Sequence, residues 1–93
     1  MPRYVIEREM PQVGSLSLKD LQSASKLSCD VLTKLGASIQ WVESYVTGDK
    51  IYCVYQAPSE DLIRRHAEMT GFPANRISKL VTMINPTTAE GTA

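Results

Sequence analysis

A chain of 93 residues with ten basic and ten acidic side chains makes one domain, and folding it removes roughly 60–65% of the unfolded surface from water. The charge balance lacks the basic excess through which proteins grip phosphates, so nucleic acid is not an expected partner. The apolar runs are too short to span a bilayer, so neither is a membrane.

The N-terminal run Met1-Pro2-Arg3-Tyr4 carries no apolar leader, which points to a cytoplasmic protein. In a reducing compartment its two cysteines, Cys29 and Cys53, are expected as free thiols. Together with the single histidine they are too few for a structural zinc site of four Cys and His ligands.

Tyr4 to Met10 reads as a strand, stopped by Pro11, and Gln12 to Ser15 as a loop. Ser17 with Asp20 three residues on resembles a capping box. Leu21, Ala24, Ser28, Val31 and Leu35 then recur at helical spacing, up to a left-handed stop at Gly36. Ile39 to Thr47 is rich in β-branched and aromatic residues. With Gly48-Asp49 as the turn and Lys50 to Gln56 returning, the stretch is a hairpin. Pro58-Ser59 opens a second helix with Glu60 and Asp61 in its first turn, ending at Gly71 before Phe72-Pro73. A last strand is expected over Ile77 to Ile84. Residues 1–86 thus form the domain, and residues 87–93, small and polar, a flexible tail.

The order β-α-β-β-α-β predicts an α+β, ferredoxin-like fold: a four-stranded antiparallel sheet with both helices on one face. The other face is open to water, a ligand or a partner.

A turn at Gly48-Asp49 pairs Tyr45 with Tyr52, Ser44 with Cys53 and Glu43 with Val54. One hairpin face then holds Val42, Ser44, Val46, Ile51, Cys53 and Tyr55, the more aliphatic set, which belongs under the helices. The other holds Trp41, Glu43, Tyr45, Tyr52, Val54 and Gln56. Exposed aromatics of this kind mark an interface, so Trp41, Tyr45 and Tyr52 predict a homodimer, built as a dimeric α+β barrel. On the first strand, alternation separates Tyr4, Ile6 and Arg8 from Val5, Glu7 and Glu9, and the glutamates suggest that theirs is the open side.

His66 sits in the middle of the apolar arc of the second helix, pointing at the sheet. Two readings are open. It is a core histidine hydrogen-bonded to a carbonyl or to Tyr55, or it is a metal ligand or proton-transfer group between helix and sheet. Cys53 faces the same space and could pair with it on a metal, or simply fill the core as buried cysteines do. Glu43 stands among aromatics on the open face and needs water, a cation or a basic partner such as Arg3, Arg8 or Lys79. If Glu7 shares that face, carboxylates meeting across a two-fold axis would make an oxygen-rich metal site; the alternative is an ordinary ion pair or solvated rim. No phosphate loop, nucleophile elbow or paired-histidine metal motif is present.

The run Tyr4-Val5-Ile6-Glu7-Arg8, the hairpin from Trp41 to Tyr55, and His66-Ala67 with Gly71-Phe72-Pro73-Ala74-Asn75-Arg76-Ile77 resemble a family of small bacterial proteins. That family, formerly of unknown function, includes a nickel-responsive, nickel-binding protein. The resemblance covers nearly the whole chain apart from the tail. It implies a ferredoxin-like protomer, a dimeric α+β barrel and a nickel ion. His66 and Cys53 match the family, which often has a histidine where this chain has Glu43. An imidazole replaced by a carboxylate shifts preference toward harder cations.

The function expected from these residues is a non-catalytic, divalent metal (nickel) binding homodimer with His66, Glu43, Cys53 and Glu7 as candidate ligands. The alternative is a cofactor-free enzyme or small-molecule binder in which His66 and Tyr55 act as acid and base. A regulatory partner protein using Trp41 and Tyr45 as anchors is the third.

Overall fold

In the computed structural model, which describes residues 1–91, Ser17 accepts a hydrogen bond from the Asp20 amide at the start of α1 (Leu18–Leu35). That bond satisfies one of the amides a helix start leaves unpaired. Gly36, at φ 95°, closes the helix. The second helix, α2 (Glu60–Thr70), ends at Gly71 in the left-handed conformation, which costs a residue without Cβ little.

Four strands, β1 (Arg3–Glu9), β2 (Gln40–Val46), β3 (Lys50–Gln56) and β4 (Arg76–Lys79), form an antiparallel sheet in the order β2-β3-β1-β4. With α1 between β1 and β2 and α2 between β3 and β4, this is the expected ferredoxin-like α+β arrangement. The core gathers between sheet and helices around Tyr4, Ile6, Ile39, Cys53, Tyr55, Ala57 and Ile63.

β1 follows the expected alternation. Tyr4, Ile6 and Arg8 are buried while Val5 and Glu7 are half-exposed and Glu9 is exposed. The Val5, Glu7 and Glu9 side is therefore the open face. The hairpin pairs Tyr45 with Tyr52, Ser44 with Cys53 and Glu43 with Val54, as the turn requires.

One residue further on the pairing shifts. Trp41, not Val42, stands opposite Tyr55, and Val42 is the extra residue of a β-bulge. The expected faces of these two residues are thereby exchanged. Trp41 packs on the core beneath the helices, its ring stacked on Tyr55 at 6.4 Å between centroids, and its indole N–H donates to Ser44 Oγ at 2.9 Å. Val42 turns out to the open side. Burying the larger ring outweighs the local loss of ladder pairing, provided the indole N–H finds an acceptor.

The last strand is shorter than expected. β4 stops at Lys79, and its neighbours Leu80 to Asn85 form no strand. The paired register with β1 ends at Tyr4 opposite Lys79, with one further bond from the Leu80 amide to the carbonyl of Arg3, the first residue of β1, at 2.8 Å. Residues Pro86–Glu90 close a 3-10 turn capped by Asn85, and the end of the expected tail, Thr92-Ala93, lies outside the described residues.

Between β1 and α1 a 3-10 turn (Val13–Ser15) runs against the hairpin. The Gly14 amide donates to the Gly48 carbonyl at 3.0 Å. A Cβ at Gly14 would lie 2.6 Å from the Thr47 carbonyl oxygen and 2.9 Å from Gly48 Cα, so the close approach requires glycine.

Candidate functional site

The sheet presents two chemically different faces. Under the helices, His66 is fully buried (0% exposed), as its place on the α2 arc requires. Its ring lies 5.0 Å from that of Tyr55. Its hydrogen bond goes neither to a carbonyl nor to Tyr55. His66 Nε2 lies 3.1 Å from Ser28 Oγ, and the same hydroxyl lies 3.1 Å from the Tyr55 hydroxyl. Ser28, in the middle of the α1 stripe, thus joins both helices to β3.

Burial lowers the His66 pKa to about 4, helped by the nearby Arg8 charge, so the ring is neutral at pH 7. The Tyr55 phenol is pushed up by burial, partly offset by its bond to Ser28 and by the neighbouring Arg8. Neutral His66, Ser28 and Tyr55 bring three protons to two hydrogen bonds. One proton is therefore left over, on His66 Nδ1, on Ser28 Oγ or on the Tyr55 oxygen; Nδ1 has no protein partner.

Arg8, one of the basic residues expected as a possible partner for Glu43, does not meet it. It lies on the other face of the sheet, 2% exposed. Its Nε–H donates to Cys53 Sγ at 3.4 Å and its Nη1–H to the Pro73 carbonyl at 2.8 Å. The Phe72 ring lies 5.9 Å from the guanidinium carbon, a cation–π contact. Nη2 is buried with no partner. The signal was present in the alternation with Tyr4 and Ile6, which puts position 8 under the helices whatever residue occupies it.

Between this face and α1 lies a cavity of about 180 Å³, lined by Arg8, Ser28, Cys53 and Tyr55 and otherwise chiefly by apolar groups, among them Leu21, Trp41 and Phe72. His66 does not line it; its partner Ser28 does.

The open face holds the carboxylates. Glu7 lies near Lys50 (4.0 Å) and Arg76 (3.9 Å), while Glu43 is exposed and takes part in none of the ion pairs among the described residues. Tyr45 is 56% exposed and Tyr52 half-buried. Val42, Glu43, Tyr45 and Val54 line a groove with Leu80, Val81 and Met83, residues beyond the end of β4.

The four candidate metal ligands are thus divided, Cys53 and His66 beneath the helices and Glu7 and Glu43 across the sheet. Among the described residues no three His, Cys, Asp or Glu side chains come together as metal ligands would. The helix side fits a cation poorly in any case, since His66 Nε2 is engaged by Ser28 and the Arg8 guanidinium is the nearest charge to Cys53. Among the described residues of one chain, the four candidates do not come together around a single ion.

Sheet, hairpin and paired helices define a ferredoxin-like α+β protein, in which no described helix is long and apolar enough to cross a membrane. The chain belongs to the nickel responsive protein SCO4226-like family, which matches it over residues 4–80. The fold is also similar to that in the crystal structure of SCO4226 from Streptomyces coelicolor A3(2), with a TM-score of 0.74 over 88% of this chain and 99% of that one, at 16% sequence identity. No curated protein matches the chain.

Proposed function

We propose that this protein is a non-catalytic homodimer that binds a divalent metal ion, nickel in the first instance, between the open sheet faces of its two copies. The observation that carries the reading is the composition of that face: the carboxylate of Glu43, in none of the ion pairs among the described residues, stands beside the exposed Tyr45 in a groove continued by Val81 and Met83. Contiguous apolar surface of this kind is usually covered in solution. A domain of this size also gains stability from a second copy.

Glu43 and Glu7 lie on one face but two strands and two residues apart, about 12 Å by ordinary sheet spacing. Each ion therefore needs ligands from both copies. The family's nickel-responsive description supports nickel as the ion, whereas an oxygen-rich donor set accepts harder cations as well. Tyr45 and Tyr52 are the proposed interface anchors; Trp41, which points under the helices, is not.

Native mass spectrometry after dialysis against nickel tests both halves of the proposal. A dimer carrying nickel, which loses the metal in Glu43→Gln and keeps its mass, is the expected result. A monomer, or a dimer that takes up no nickel, cobalt or zinc, overturns it.

A further inference from the structure

Arg8 is an unusual core residue. A guanidinium is rarely fully buried without a carboxylate beside it, because the uncompensated charge is costly. Here it is 2% exposed, and none of the ion pairs among the described residues includes it. Its protein partners are a thiol sulfur, a weak acceptor, and one backbone carbonyl. Nη2 keeps its N–H groups unmatched, and Arg8 is part of the wall of the 180 Å³ cavity.

A second donor can be presented at the same wall. The Ser28, Tyr55 and His66 chain has one proton more than it has hydrogen bonds, and of the three atoms that can carry it the Ser28 and Tyr55 oxygens belong to cavity-lining residues. Arg8 is close enough to Tyr55 to influence its phenol. The lining therefore combines a positive charge and a hydroxyl donor with the apolar side chains of Leu21, Trp41 and Phe72.

We infer that the cavity between α1 and the sheet is a binding site for a small organic anion, a carboxylate on a compact apolar body, with Arg8 and Tyr55 as its polar anchors. With a small turn of the guanidinium that brings the buried Nη2–H onto the cavity wall, Arg8 and the Tyr55 hydroxyl each donate to the carboxylate. This neutralises the buried charge and gives an acceptor to one Nη2 proton and to the hydroxyl proton; charge-assisted bonds of this kind are among the stronger ones available to a protein. A cavity of about 150 Å³ holds a benzene ring, so a volume of about 180 Å³ takes roughly six to nine non-hydrogen atoms, the size of benzoate or hexanoate. The site is separate from the open-face metal reading, since the two lie on opposite sides of the sheet.

The test uses the full chain in buffer with a chelator, so that metal plays no part. Sodium benzoate and its neutral counterpart benzyl alcohol are titrated while the Trp41 indole and Arg8 Nε–H resonances are followed by NMR. Saturable shifts with benzoate, at least about tenfold weaker with benzyl alcohol, are expected. Arg8→Met should lose the preference for the anion. Tyr55→Phe, which keeps the ring in place, should weaken benzoate alone and guards against an Arg8 variant that fails to fold. Equal binding of the two probes, or no binding of benzoate, overturns the inference.

Discussion

Ser28 on α1 and His66 on α2 meet in a hydrogen bond of 3.1 Å where neither side chain reaches water. The bond fixes how the two helices sit on the sheet, and it makes folding depend on the protonation of one ring. In the native state the His66 pKa is lowered from 6.5 to about 4. The unfolded chain therefore binds a proton at a pH where the folded chain does not. The contribution is fully present above pH 6.5 and lost as pH falls toward 4, amounting to about 3 kcal/mol across that window. Urea unfolding of the wild type and His66→Gln at pH 7.5 and pH 4.5 checks this. The difference between the two proteins should shrink at the lower pH, whereas a constant difference would show that the histidine does not titrate with folding.

Removing the serine hydroxyl leaves two buried polar groups without a partner. Ser28→Ala should destabilise the fold by about 1–3 kcal/mol, seen as a lower urea midpoint at unchanged slope. In Ser28→Ala with Tyr55→Phe the loss should be smaller than the sum of the single losses, because the three groups form one connected network.

Gly14→Ala brings a methyl group against the Thr47 carbonyl and Gly48 Cα, both backbone atoms that cannot rotate away. A cost of about 1–3 kcal/mol is expected, with the thermal midpoint falling accordingly. Gly48→Ala, which meets nothing within 4 Å, is the control, and a loss of equal size there would show that turn flexibility rather than close approach is responsible.

The bulge separates two aromatic residues that the sequence puts on one face. Tyr45→Lys should shift the protein from dimer to monomer by light scattering. Trp41→Phe should keep the dimer and lose about 1 kcal/mol of stability along with its bond to Ser44. The reverse pattern would place association on the helix side.

Much of this arrangement is legible in the chain because it follows from rules that act locally. Ser17, Gly36 and Gly71 mark helix ends through capping chemistry, and the hairpin register follows from the position of Gly48-Asp49. The open side of β1 can be read from Glu7 and Glu9. What escapes is set by tertiary competition. A period-2 reading has no means of inserting Val42 as an extra residue, since the gain comes from packing Trp41 on Tyr55, a residue distant in sequence. The length of β4 depends on where β1 runs out, not on the apolar character of Val81 or Ile84. The candidate site was half visible. His66 and Cys53 lie under the helices as their periodicity requires, whereas the chemistry of Arg8 suggests a partner for Glu43, although its alternation with Tyr4 and Ile6 sets it on the opposite face.

The irregularity at Val42 also bears on what the protein avoids. β2 is an outer strand of the sheet, and an unbroken outer strand would offer its free amide and carbonyl groups to any passing chain. The extra residue disturbs that row of groups near its start, and on the opposite margin β4 has only four residues. Neither margin is a good template for adding strands. Association through a face, as proposed for the open side, closes after two copies and does not lead to the open-ended growth of fibrils.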